Sequence, residues 1–262
     1  MDHLISIFLA AFFLAVTAVT VLHGYFIRKE SEKRERQLLM ALAHDIRTPL
    51  TVVRGYAEGL LDGVADTEEK RRAYLSQIRS KTMEMDDLLS DLMLYAKATS
   101  GGMTYDMGDI HVSEELSTYV SSVREDISLR KASISLSDET GGDCVISGDR
   151  GRLKRVLDNL ISNSLKYKKG DAVSIGLLLS EAHDELQLTI SDDGRGIRAG
   201  DVPYIFDHLY RGDGGSGISG SGVGLWLVKR ITEDHGGHVW AESEYGAGTR
   251  IHLVMRTDHK EI

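Results

Sequence analysis

The sequence predicts an α+β chain: an N-terminal transmembrane helix, a helical hairpin that dimerises into a four-helix bundle, and a C-terminal α/β sandwich. Three observations carry this. An uncharged apolar run comes first, residues 31–100 repeat apolar side chains every three or four positions, and from about residue 113 helical stretches alternate with short period-two runs. With 262 residues, the chain has room for one or two cored domains. Lys+Arg number 31 against 40 Asp+Glu, so the net charge of −9 excludes a general attraction to nucleic acid. Cys144 is the single cysteine, which excludes an intrachain disulfide framework and a multi-cysteine zinc site. Glycine is over-represented at 27 residues, while Pro49 and Pro203 are the only prolines.

Residues 4–27 hold no Asp, Glu, Lys or Arg and would span about 36 Å as a helix, enough to cross a ~30 Å hydrocarbon core. A cleaved signal peptide fits less well, because no basic segment precedes the run and no small-residue cleavage site follows. Arg28, Lys29, Lys33, Arg34 and Arg36 follow at once in a basic juxtamembrane segment, residues 28–37. The positive-inside rule then predicts a single-pass cell-membrane protein with its remainder cytoplasmic. Such a crossing leaves no room for an extracellular sensor.

Leu38, Leu39, Leu42, Ile46, Leu50, Val53, Tyr56 (or Ala57) and Leu60 form a stripe on a helix over 31–61, which Pro49 should kink. Asp62-Gly63 ends that helix, and Asp66-x-x-Glu69 resembles a capping box opening the next. The second helix carries Leu75, Ile78, Met85, Leu88, Leu89, Leu92 and Tyr95 and ends near Ser100-Gly101-Gly102. Two helices alone cannot bury both stripes, so a homodimeric bundle over 38–99 is expected.

Beyond the Gly-Gly break, Ser113 is placed to cap a helix running to about Arg130. Strands are expected at Ser133–Ser137, Cys144–Ser147, Val173–Leu179 and Glu185–Ser191, with a helix over Arg150–Lys168. A glycine-rich loop precedes a helix from about Val223 to His235, and His238–Ser243 with Thr249–Arg256 reads as a closing hairpin. This second domain covers 104–257.

Four clusters carry candidate chemistry. Asn159, Asn163 and Lys166 share one helix face, where two amides and an ammonium suit phosphate and magnesium, although a solvated polar face has the same pattern. Asp192-x-Gly194-x-Gly196 follows a strand; its carboxylate suits an exocyclic amine such as adenine's, and an ordinary Asp-capped turn is the alternative. Gly220-x-Gly222-x-Gly224 opens a helix whose free N–H groups favour phosphate, without the preceding strand of a dinucleotide fingerprint. His44 sits at the edge of the first apolar stripe with Thr48 one turn on; Asp45, if it reaches the imidazole, would fix its tautomer.

Taken together these residues resemble the sensor histidine kinases of bacterial two-component systems. His44–Leu50 is similar to their phosphoacceptor box, Asp158–Tyr167 to the N box, Asp192–Ile197 to the G1 box, Ile205–Arg211 to the F box and Gly220–Leu225 to the G2 box, in family order over about 38–256. The resemblance implies the gyrase, Hsp90 and histidine kinase type of ATP-binding fold, with ATP and Mg2+ as cofactors. It implies phosphorylation of His44, with Asp45 orienting it and taking its proton, and a water-placing role for Thr48 in dephosphorylation. It further implies Asn163 as magnesium ligand, Asn159 and Lys166 on the phosphates, Tyr167 beside adenine and Asp192 reading it. Gly194, Gly196, Gly220, Gly222, Gly224 and Thr249 complete the implied nucleotide site, under a lid from about Asp207 to Gly222. The implied partners are a second copy and a response regulator whose aspartate receives the phosphoryl group. A gyrase-type ATPase is the alternative enzyme, and a nucleotide-binding scaffold the non-enzymatic one. The chain departs from the family at His208-Leu209, where an aromatic residue commonly precedes the Tyr-Arg pair.

Overall fold

The computed structural model describes residues 17, 19–25, 29, 36, 40, 43, 45–142, 144–182, 185–208, 210–212 and 222–257. Residues 17 and 19–25 are helical, and most of the expected 4–27 span lies outside the described residues. Among the described residues no helix is long and apolar enough to cross a membrane. The chain divides into two compact units, 1–85 and 86–262.

In the first unit a helix over 45–61 (α1) continues unbroken through Pro49. It stops at Gly63, whose φ of 72° is the left-handed conformation that ends helices cheaply in glycine. The following helix, α2, spans Glu68–Thr99. Its cap differs from the sequence expectation. Thr67, not Asp66, accepts the N–H of Lys70 through its hydroxyl, at 3.2 Å, while Asp66 takes the Lys70 ammonium at 2.6 Å. Both adjacent residues are cap-forming types, and the Asp66 carboxylate is taken by the Lys70 ammonium instead. Gly59 lets the hairpin close: a β-carbon there would lie 2.8 Å from the Tyr74 ring, which packs edge-on against Tyr56.

In the second unit, β1 (Gly108–His111) pairs antiparallel with β3 (Val145–Gly148) as a two-stranded ribbon. The main sheet has the order β2-β4-β5-β7-β6, from Ala132–Asp138, Val173–Ala182, Glu185–Asp192, Gly248–Arg256 and His238–Glu244. β2 runs parallel to β4, and every other neighbour is antiparallel. Alternation sets the core. Leu177, Ile190 and Ile251 are cross-strand partners, as are Leu179, Leu188 and Leu253, and all six are buried on one face. The helices α3 (Val112–Leu129), α4 (Arg150–Lys166) and α5 (Gly224–Asp234) pack against the sheet. Leu116 and Val120 of α3, Leu157, Leu160 and Ile161 of α4, and Leu227, Val228 and Ile231 of α5 complete the core. Ser113 is not the cap of α3; the cap position lies two residues earlier, at His111, which makes no side-chain cap bond. Cys144 is buried beside β3 and its thiol donates to Glu181 at 2.9 Å. Burial and that carboxylate push the thiol up to about 11, so it stays protonated and unreactive.

Thr67→Ala should lower stability by about 1 kcal/mol, the usual worth of an N-cap hydroxyl, while Asp66→Ala should shift the melting temperature little. Thermal melts of the two variants check the reassigned cap, and the opposite ranking would restore Asp66.

Candidate nucleotide site

α4 begins at Asp149, whose carboxylate caps the helix by accepting the Arg152 N–H at 3.0 Å. From there the helix presents Asn159, Asn163 and Lys166 on one face, as their spacing predicts. The Asn159 amide donates to the Arg155 carbonyl at 3.0 Å. Its Oδ1 faces α5 so closely that a β-carbon on Gly224 would sit 2.6 Å away. Gly224 therefore leaves room for the Asn159 side chain, which a larger residue would displace. Asn163 is half-buried, and its amide makes no hydrogen bond among the described residues, which leaves its oxygen available to a ligand. Among the described residues no group of three or more His, Cys, Asp or Glu side chains is arranged to hold a metal. The Asn163 amide oxygen is a hard donor that magnesium could take together with phosphates and water, since this cation keeps several waters and needs few protein ligands.

α4 ends at Tyr167, over whose ring lie the Lys166 ammonium at 5.8 Å and the Arg195 guanidinium at 4.6 Å. Asp192, at the end of β5, accepts from the Gly194 N–H at 2.9 Å and from the Ser164 hydroxyl at 3.0 Å. Burial pushes this carboxyl above its ordinary range, against the pull of those donors and the Thr249 N–H. The glycines around it answer to chain crossings. A β-carbon on Gly194 would lie 2.7 Å from the Asp192 carboxylate and 2.8 Å from the Tyr167 carbonyl. Gly196, at φ 68°, would bring one to 2.0 Å from the Glu244 carbonyl, and Gly248, at φ 120°, to 2.0 Å from that of Asp192. The Ser243 hydroxyl staples the crossing, accepting the Ile197 N–H at 2.8 Å and lying 3.0 Å from the Thr249 hydroxyl. Thr249 pairs directly with Asp192 across β5 and β7.

Gly222, at φ 71°, leads into α5, where Gly224 is the first residue. Gly220 and the run 213–221 lie outside the described residues, as does His44. In α1 Asp45 is buried and Thr48 exposed. The structure thus brings Asn159, Asn163, Lys166, Tyr167, Asp192, Gly194, Gly196, Gly222, Gly224 and Thr249 into one unit.

Two contacts escaped the sequence reading. Arg155, one turn before Asn159, takes Asp91 at 2.5 Å and Asp87 at 3.2 Å from the last turns of α2. Burial raises the Asp91 carboxyl even so. His208 fills the unusual F-box position by packing its ring 4.7 Å from Tyr95 and 5.3 Å from Trp226. Leu209, directly before the Tyr-Arg pair, lies outside the described residues.

This α/β unit is of a defined class. Residues 148–259 match the histidine kinase-, DNA gyrase B- and HSP90-like ATPase family, and residues 34–101 match the His Kinase A phospho-acceptor domain. These two matches, in this order, support a bacterial two-component sensor histidine kinase. Sensor histidine kinase WalK of Bacillus subtilis is 28% identical over 240 residues, which are 90% of this chain and 39% of that protein. The chain therefore spans well under half the length of that relative. Among solved structures, Acinetobacter baumannii histidine kinase AdeS superposes with a TM-score of 0.60 at 19% identity, covering 82% of this chain and 98% of that one. Histidine kinase ThkA, solved in complex with the response regulator protein TrrA, gives 0.59 at 18% identity, covering 89% of this chain and 67% of that one. At these identities the structures establish the shared fold.

Because folding raises the Asp192 carboxyl, folding disfavours its ionised form. The penalty is absent below the unfolded value, where both states are protonated, and grows as pH rises through the folded value. Asp192→Asn should therefore melt slightly higher than the wild type at pH 8, with the gap closing near pH ~3, below the ordinary carboxylate range. A lower melting temperature at pH 8 would contradict the cause assigned. Gly194→Ala should weaken adenine-nucleotide binding by about tenfold or more through displacement of the carboxylate, while Gly200→Ala, which meets nothing within 4 Å, should leave it unchanged. Isothermal titration separates the pair.

Proposed function

We propose that this chain is the membrane-anchored kinase part of a sensor histidine kinase, which phosphorylates His44 from ATP and passes the phosphoryl group to a response-regulator aspartate. The observation that carries the reading is the convergence of Asn159, Asn163, Lys166, Tyr167, Asp192 and Thr249 in one α/β unit that follows a matched phospho-acceptor domain. Asp192 accepts the adenine amine while Tyr167 lies beside the ring. Lys166 and the Gly222–Gly224 turn hold phosphate oxygens, with Asn159 at their edge. Asn163 holds Mg2+, which when bound would neutralise charge on the phosphate chain.

In the reaction proposed, a ring nitrogen of His44 attacks the γ-phosphorus, the bond to the β–γ bridging oxygen breaks, and ADP leaves. Asp45 orients the imidazole and takes its proton. The phosphoryl group then passes to a carboxylate of the regulator, and Thr48, exposed one turn after His44, positions water for its later hydrolysis. The printed partner of ThkA supports a response regulator as partner here. A homodimer through 38–99 is supported by exposed Leu50, Leu75, Met83, Leu89 and Met93, an apolar surface that a second copy would cover. The proposed catalytic domain is 104–257, and the anchor is residues 4–27 followed by the basic segment 28–37.

Label from γ-labelled ATP should be retained in acid-labile, base-stable form by the wild type and lost in His44→Gln, with ATP binding within about threefold of wild type because acceptor and nucleotide residues lie in different domains. Persistent labelling of that variant would place the acceptor elsewhere. Thr48→Ala should still label but should clear a phosphorylated regulator about tenfold more slowly or worse, and equal clearance would make Thr48 an ordinary surface residue.

A further inference from the structure

The far ends of the two helices of the site meet at a node that none of the motifs contains. Asp149 stands where β3 gives way to α4, and its backbone N–H donates to Nε2 of His235 at 2.9 Å. His235 caps the C-terminus of α5, and its Nδ1 lies 2.7 Å from the Ile231 carbonyl. A backbone N–H only donates and a carbonyl only accepts. The ring is thereby fixed as the neutral tautomer with its proton on Nδ1. Gly148 makes room for it: a β-carbon there would be 3.1 Å from His235 Cδ2 and 3.0 Å from Leu153. Tyr105 closes the other side, edge-on to the imidazole at 5.0 Å with its hydroxyl on Asp234. The second oxygen of Asp149 takes the Asp106 N–H at 3.0 Å.

From this node α4 runs to Asn159, Asn163 and Lys166, while α5 arrives from Gly224, packed on Asn159. The two helices pack along each other, and their contacts include Gly224 against Asn159 within the site and His235 with Asp149 at the opposite end. We propose that His235 is a positioning residue for the phosphates of the nucleotide: its Nε2 sets how far α5 slides along α4, and so the distance from the Gly222–Gly224 turn to the Asn159 and Asn163 amides. This rests on the nucleotide-site reading above. Removing the acceptor lets α5 shift, and a displacement of about 1 Å is enough to degrade a pre-organised phosphate site. The adenine end, held by Asp192 at the sheet, does not depend on α5 in this way.

The test compares Mg-ATP and adenosine binding to the full chain by isothermal titration, for the wild type, His235→Leu and His235→Gln. Glutamine can accept the Asp149 N–H in place of Nε2. The leucine variant should lose about tenfold in Mg-ATP affinity with adenosine unchanged, and glutamine should restore affinity to within about threefold of wild type. Normal Mg-ATP affinity in His235→Leu overturns the proposal. So does an equal loss of ATP and adenosine, or a glutamine variant as weak as leucine. If the leucine variant does not fold, Gly148→Ala replaces it, since crowding the ring should give the same ATP-selective loss; unchanged affinity there is likewise contrary. A wild type that binds no Mg-ATP would instead defeat the nucleotide-site reading itself.

Discussion

Two backbones cross without side chains between them. The turn after β5 lies on the turn between β6 and β7, and at Gly196 and Gly248 a single β-carbon would come within 2.0 Å of a carbonyl oxygen. Both residues have positive φ, so any substitution meets backbone strain as well as collision. Much of the site hangs from this crossing. It aligns Thr249 with Asp192, seats the Ser243 hydroxyl between the strands, and leaves the carboxylate of Asp192 held from its own loop by the Gly194 N–H and from α4 by Ser164. Since that carboxylate is partly buried and raised by burial, rigidity has a purpose: a looser loop would let it swing to water. The same contact that fixes its direction makes its charge costly, which is the usual trade between stability and function in a binding site.

Much of this was legible. Period-two alternation located the strands from β2 onward to within a few residues, most clearly in β4, where buried and more exposed residues alternate, and less so in β7, where Ile251–Met255 are all buried. The spacing of Asn159, Asn163 and Lys166 needed only helix geometry. What was illegible was non-local. Four-residue β1 is too short to show a period, and it exists by pairing with β3. β2 neighbours β4 in parallel, a pairing across a crossover that no local pattern announces. Tyr105 and Asp234 are 129 positions apart, and neither carried a motif. The glycines have a second reason that no local pattern shows: Gly194, Gly196, Gly224 and Gly248 also make way for the protein's own chain.

In the helical region Ile78, Met85, Leu88, Leu92 and Tyr95 of the expected stripe are half-buried along α2, together with Tyr74, whereas Leu75 and Leu89 are exposed. At its C-terminal end the same helix turns polar contacts to use. Asp87 and Asp91 share Arg155, and Tyr95 meets His208 and Trp226. Asp87, Asp91 and Tyr95 recur every four residues, so one face of α2 addresses both α4 and the start of α5. A half-buried ion pair of this kind contributes little net stability but specifies one arrangement over others. Here it ties the part of α2 within the second unit to the helix that presents Asn159.

On the proposed function, the glycine crossing holds Asp192 as a fixed acceptor for adenine. Isothermal titration of the full chain with Mg-ATP and then Mg-GTP tests it most directly. Guanine presents a carbonyl oxygen where adenine presents its amine, so a fixed carboxylate acceptor should disfavour GTP by about a hundredfold. Equal affinity for the two nucleotides would contradict the account.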